Sequence, residues 1–475
     1  MTLVSPRSRA AIAVLAACLL AIVANCLAAE PLAVGPLGDE PEATAVDKKF
    51  PEIAQAAELF GKRRFDDALT KLQEACQKHP ELPPAQIIMF GFFDQVRRAG
   101  ATGAAVAART SLEKAVIDSP TDPEAFVILG NIALSERRVT ESELLFGKAS
   151  QLMAGFQGDA DRKKALQQKV LGGLASVALA REDWTGAETQ LLELLKLNDK
   201  NVPAMQQLAR ALFKQGTKPK TVACSDWTKT AYETDPKRAL PAPTQMALFY
   251  AQAPDFDNAK KWIDYSLTAY PKDLRARLAA AQWYWQTSEL EMKINPVHLD
   301  AAEKHAAEAM IIDPESIDAI VFRGVVALFK KDFASAERWF EKAHIMKFDH
   351  FPAKNNLALA LCEQDDSSKR QRALQLADEN ARRYPKSAEA LSTYGWVLYK
   401  NTRLQDAGKV LNQVASAGNM SADTAYYIAH VMAESNTENA KAGAIQLLES
   451  AVKSTKPFSK RDEAKKLLAE LKRAS

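Results

Sequence analysis

The stretch DAIVFRGVVALFKKDFASAERWFEKAHIMK, residues 318–347, decides how this chain folds. Ala319, Arg323-Gly324 and Ala327 recur at mostly helical spacing and mark one face of a first helix. Phe333 opens a second helix, whose face carries Ala336, Phe340 and Ala343. The small residues Gly324 and Ala336 let two antiparallel helices approach closely, and Phe333 and Phe340 fill the space beside them. Neither helix can bury such a face alone, so the hairpin needs a stacked neighbour.

The neighbours are present. Aligned on the small residue of the first helix, Gly130, Ala175, Ala209, Ala247, Ala281, Gly324, Ala358, Gly395 and Ala429 head nine copies. The steps 175→209, 247→281, 324→358 and 395→429 are all 34 residues, the mark of a helical repeat array. Further landmarks recur with them, among them Val139, Ser142, Phe146 and Ala149, and later Leu404, Ala407 and Leu411. An early copy with Phe65, Ala68, Leu72 and Ala75 opens the array. Prolines after the second helix (Pro80, Pro120, Pro236, Pro271, Pro314, Pro385) end it and set the turn to the next hairpin. Twelve residues separate the small positions 130/142, 175/187, 247/259, 324/336 and 395/407. The intervening copies carry additions at Lys218–Val222, Thr287–Pro296, Gln364–Lys369 and Ser435–Ala440. As turn insertions these should line one rim of the stack. Gly155–Arg162 lengthens one inter-repeat connection, where a bend is expected.

The landmarks resemble the tetratricopeptide repeat, whose pattern is an aromatic or Leu, then Leu-Gly, Tyr, Ala, Phe, Ala and Pro over 34 positions, and the resemblance covers about residues 49–455. The poorest copy is Pro84–Pro120, and the array is irregular at 84–120 and 155–167. The resemblance implies an all-α, tetratricopeptide-like α-α superhelical solenoid of about 10–11 helical hairpins. It also implies that first helices line a concave face, and that the partners are other proteins or peptides held there.

Both ends differ from the array. Arg7 and Arg9 precede the apolar run Ala10–Val23, and Ala28-Ala29 follow, which reads as a signal peptide over 1–29 with an exported body. An uncleaved membrane anchor is the alternative, and Leu15–Cys18 also has the look of a lipobox. The expected location is the periplasm or cell envelope of a bacterium, with membrane contact only through that segment. Glu30–Lys48, with Pro, Gly and five acids, reads as a flexible tether. At the far end, Ala464, Leu467, Leu468 and Leu471 form one face of an amphipathic helix within 456–475, which should cap the last hairpin.

Composition excludes several classes. Without residues 1–29 there are 60 basic against 59 acidic residues, so nothing favours nucleic acid. Cys76, Cys224 and Cys362 sit far apart inside helical patterns and read as small buried hydrophobes. His298 and His305 share a helical face near Glu303, and His344 and His350 flank a turn. Such spacing is poor for a metal, and helix-edge or capping roles fit better. No G-x-S-x-G, H-E-x-x-H or phosphate-loop string occurs, and only 19 glycines are present. Neither an enzyme nor a cofactor is expected.

Binding residues follow from helical spacing. Side chains one position past the small landmark and four beyond it should face the groove. In the C-terminal repeats these are Gln282, Trp285, Val325, Phe329, Leu359, Trp396, Tyr399 and His430, with Asn355 and Tyr426 one turn earlier. In the fifth repeat they are Gln206, Arg210 and Lys214, where Arg210 and Lys214 could hold a peptide carboxylate. The full Lys/Asn clamp of chaperone-binding tetratricopeptide domains is missing. An alternative reading follows from the ending Phe458–Ala464, which looks like those of repeat proteins in envelope polysaccharide assembly or export. Trp285, Trp396 and Tyr399 would then stack on glycan.

Overall fold

A computed structural model describes residues 50–289, 294–418, 420–434 and 437–473. The segments read as signal peptide and tether lie outside these. The described residues form twenty-three helices and no strand, and none is long and apolar enough to cross a membrane. They fall into two compact units that meet in sequence between Ala239 and Leu240.

The first unit holds five hairpins. These are α1 (Pro51–Gly61) with α2 (Phe65–Lys78), α3 (Ala85–Arg98) with α4 (Ala104–Asp118), α5 (Glu124–Ser135) with α6 (Val139–Gly155), α7 (Ala160–Ala180) with α8 (Trp184–Leu197), and α9 (Val202–Gln215) with α10 (Lys218–Thr234). The second unit holds six more and a last helix. These are α11 (Ala242–Gln252) with α12 (Phe256–Ala269), α13 (Leu274–Gln286) with α14 (Pro296–Ile312), α15 (Ile317–Phe329) with α16 (Phe333–Met346), α17 (Phe351–Cys362) with α18 (Ser367–Arg383), α19 (Ala388–Lys400) with α20 (Leu404–Ser416), and α21 (Ala422–Ala433) with α22 (Glu438–Val452), followed by α23 (Arg461–Arg473). Eleven hairpins stack as helical solenoids, the fold class read from the spacing.

Burial separates the two helices of each hairpin in the second unit. In α16 only one stripe is covered, through Ala336, Phe340 and Ala343. In α15 nearly every side chain from Ala319 to Val326 is buried, because neighbours pack on both of its sides. First helices therefore form the inner layer, and α15, α17, α19 and α21 touch in succession. Glycine is required where layers meet: a Cβ on Gly324 would lie 2.6 Å from the Phe340 ring, and one on Gly395 would lie 2.5 Å from Leu411. Starts of helices are fixed by side chains that accept an otherwise unpaired backbone N–H, as Asp332 does from Ser335, Ser316 from Ala319 and His350 from Ala353.

Two local features refine the sequence reading. Most of the added residues do not decorate a rim as loops. They lengthen the second helix by nearly one turn at its start, so α10, α14 and α18 each run 17 residues against 14 in α8, α12 and α16. Cys224, Ala302, Ala373 and Ala444 then take the fully buried small position. In the regular hairpins the tight turn places a non-glycine residue in left-handed backbone: Arg63, Arg137, Glu182, Lys331 and Thr402, with φ from 59° to 62°. That conformation is costly for a β-branched residue such as Thr402.

Candidate ligand-binding groove

In the second unit the inner faces of α13, α15, α17, α19 and α21 form a groove, and part of this chain lies in it. The segment 453–460 leaves α22 and runs as a strap over the groove to the start of α23. Its anchor is Arg461, 2% exposed, whose Nε donates to Glu289 Oε1 at 2.6 Å. Glu289 follows α13, and its Oε2 accepts the Phe458 backbone N–H at 2.6 Å and Arg461 Nη2 at 3.2 Å. The same guanidinium donates to the carbonyls of Val452, Ser454 and Lys456 at 2.6, 2.9 and 3.0 Å. One arginine thus satisfies a non-helical backbone that could not otherwise be buried.

Neighbouring strap residues repeat the theme. Lys460 Nζ lies 2.8 Å from Glu363 at the end of α17, a carboxylate that also meets Lys400 at 3.0 Å and accepts from Trp396 Nε1 at 2.9 Å. Burial pushes the Glu363 carboxyl up, but Lys460 and Lys400 hold it below the ordinary range. Ser459 Oγ donates to Asp423 in α21 at 3.0 Å. Burial raises Asp423 to about 6, opposed by Ser459 and Lys460. Phe458 is 1% exposed, with its ring centroid 6.4 Å from that of Tyr426. Lys331 reaches Glu463 of α23 at 2.8 Å.

Beneath the strap remains a cavity of about 370 Å³. It extends from the C-terminal ends of α13 and α15 to the N-terminal ends of α19 and α21. Trp285, Val325, Leu328, Phe329 and Leu359 make its apolar side. Asn355, Asn356, Glu389, Thr393 and Thr424 make its polar side, and Pro457, Ser459 and Lys460 its roof.

Five residues picked from helical spacing come together around this cavity: Trp285, Val325, Phe329, Asn355 and Leu359. Asn355 is 1% exposed and donates through Nδ2 to Glu389 Oε1 at 3.3 Å. Five others are packed differently. Gln282 is buried in α13, and Trp396, Tyr399, Tyr426 and His430 form an aromatic cluster with Tyr427. Both Tyr399 and Tyr427 stack on Trp396, which is 2% exposed, and Tyr399 donates its hydroxyl to Glu434 at 3.1 Å. Burial, then Glu434, push the Tyr399 hydroxyl up to about 12. In the first unit, Gln206 Nε2 donates to the Arg238 carbonyl at 3.0 Å, which ties α9 to the chain after α10. Arg210 is half-buried, and burial pushes its guanidinium down against the pull of Glu182. Lys214 is exposed.

Spacing alone does not reveal Glu289, Glu363 or Asp423, nor the run Phe458–Arg461 that meets them. The available signal is polar residues interrupting otherwise buried first helices, as at Asn355-Asn356 and Ser392-Thr393. Among the described residues no three His, Cys, Asp or Glu side chains gather as a metal site. His298 Nδ1 instead pairs with Thr287 Oγ1 at 2.8 Å, His305 stacks on Tyr284, and His350 caps α17.

The tetratricopeptide family model matches residues 358–421, which span the end of α17 and all of α18, α19 and α20. Those residues carry the tetratricopeptide repeat. Within this repeat protein the matched hairpin is one of the regular ones, with Gly395 against Leu411. No curated protein matches the chain. Among solved structures it is similar to a tetratricopeptide repeat protein from Parabacteroides merdae ATCC 43184, at 13% identity and a TM-score of 0.43, over 57% of this chain and 98% of that one. It is also similar to Pseudomonas aeruginosa pilF (16% identity, TM-score 0.36, 49% of this chain and 96% of that one). A third is yeast Tom70 (15% identity, TM-score 0.37, 90% and 96%). A repeat stack of this family is an interaction scaffold, and its inner face is the surface such a stack offers to a protein or peptide.

Proposed function

We propose that this tetratricopeptide protein is a non-catalytic scaffold exported to the bacterial cell envelope, where it holds an extended segment of a protein partner on the inner face of its repeats. One observation carries the binding part. The inner face of the second unit already holds an extended segment, the strap, through carboxylates drawn from three different hairpins. Backbone N–H groups and basic side chains are the chemistry any peptide brings to such a face. Export rests on Arg7 and Arg9 ahead of the apolar run Ala10–Val23 and on Ala28-Ala29. The glycan reading draws less support, because the Trp396 ring is covered by tyrosines rather than offered to a sugar.

A photocrosslinking amino acid in place of Leu359 should capture a protein from envelope extracts, whereas one in place of Lys342 on an outer helix should not. Equal capture from both positions would remove the inner-face assignment. Mass determination of the mature chain should find an N-terminus near Glu30, and an intact Met1 would overturn cleavage.

A further inference from the structure

The strap meets the groove residue by residue. Three successive side chains each find an acid from a different hairpin: Ser459 at Asp423, Lys460 at Glu363 and Arg461 at Glu289. The aromatic residue before them, Phe458, is buried, and its backbone N–H goes to Glu289. This is how a groove reads a short linear motif, with charge pairs fixing register and one apolar anchor supplying contact area. The fit is nevertheless incomplete. Pro457 and Ser459 are small, and beside them stays the cavity of about 370 Å³ with its wall of Trp285, Phe329 and Leu359. A void of that size over apolar side chains forgoes contacts that a larger side chain would make. Arg461 is the central latch of the strap, since it pairs with Glu289 and supports the carbonyls of Val452, Ser454 and Lys456.

We propose that the strap is a captive stand-in for a partner segment of the pattern aromatic, bulky apolar, basic, basic, and that such a segment enters the groove by displacing residues 456–461. The proposal rests on the peptide-binding reading above and adds the ligand's chemistry and its regulation. A motif with Leu in place of Ser459 gives up the hydrogen bond to Asp423 and gains apolar contact in the cavity that the native strap leaves empty. The chain thus holds its groove closed until a better-fitting segment arrives, because bound strap and bound partner exclude one another.

The test uses the full chain and two fluorescein-labelled octapeptides, KPFSKRDE and KPFLKRDE, read by fluorescence anisotropy. In the parent both should bind poorly. In the Arg461→Ala chain, whose strap is unlatched, both should bind at least tenfold tighter, with the Leu peptide about fivefold ahead of the Ser peptide. Adding Glu289→Gln should remove that gain. Equal binding to parent and Arg461→Ala, unchanged by Glu289→Gln, would overturn the captive-ligand idea while leaving peptide binding elsewhere intact. Should Arg461→Ala fail to fold, hydrogen exchange on the parent decides. Excess Leu peptide should speed exchange of the amides of 456–460 and leave α21 unchanged. No change there, or no binding by any chain, overturns the proposal, whereas the Leu359 crosslinking test bears on the broader reading independently.

Discussion

Gly324 faces the ring of Phe340 so closely that a methyl group placed on it would stand 2.6 Å from the nearest ring carbon. Phe340 is fully buried and cannot swing aside. Alanine is a better helix former than glycine by about 1 kcal/mol, but overpacking a closed core costs about 1–3 kcal/mol. Gly324→Ala should therefore lower the melting temperature. Gly91 in α3 provides the contrast, because nothing lies within 4 Å of its Cβ position. Gly91→Ala should raise stability by up to about 1 kcal/mol. A melting temperature for Gly324→Ala at or above the parent's would contradict the packing described.

Thr402 sits at φ 61° in the turn between α19 and α20, exposed to solvent. Asparagine tolerates left-handed backbone better than a β-branched residue. Thr402→Asn should stabilise the chain by about 0.5–1 kcal/mol, measured as a rise in the urea midpoint at constant slope. A fall would mean the threonine hydroxyl contributes more than its backbone costs.

Asp423 gives a pH dependence of definite sign. Burial raises its carboxyl from the ordinary value of 3.8 to about 6 in the folded chain. The folded protein then binds this proton more readily than the unfolded one, so this group's contribution to stability falls as pH rises from about 4 to about 6. Above that window the penalty is complete. Asp423→Asn keeps an acceptor for Ser459 and removes the charge. It should raise the melting temperature at pH 8, with the gain shrinking through pH 6 and vanishing near pH 4. A gain that is independent of pH would refute the assignment.

Glu363 behaves in the opposite sense. Its side chain is 8% exposed and carries Lys460, Lys400 and Trp396. Glu363→Ala strands two cations and an indole N–H and should cost about 3 kcal/mol at neutral pH. Because Lys460 and Lys400 hold this carboxyl low despite burial, its stabilising effect is present above the ordinary carboxylate range. It is lost as pH falls through the lowered value. The variant's deficit in urea should therefore narrow in acid, and a deficit that widens would be incompatible with the ion pairs.

Much of the fold is legible in the sequence because close helix packing leaves a local trace. The pair Gly324 and Ala336 marks a hairpin within one window of sequence, and Phe340 marks its filler. The longer copies are harder to read, since three added residues look the same whether they loop out or extend α18 by a turn. At the groove, helical spacing finds Trp285, Phe329, Asn355 and Leu359, whose positions depend only on their own helices. It also picks Trp396 and Tyr399, because an aromatic facing inward looks the same whether it meets a ligand or Tyr427. Glu289 and Arg461 are beyond its reach for a different reason. Their meeting depends on how five hairpins curve, and no local pattern records that curvature.

The 172 residues between Glu289 and Arg461 bear on how the molecule comes apart. A linear array can fray from its end, one hairpin at a time, because each unit answers only to its neighbours. Here the segment after α22 is fastened just beyond α13, so the line of repeats between them becomes a closed circuit. Its outermost hairpin cannot loosen without breaking a bond near the opposite end. The second unit should consequently melt as one cooperative block, and loss of the Arg461 side chain should be felt five hairpins away.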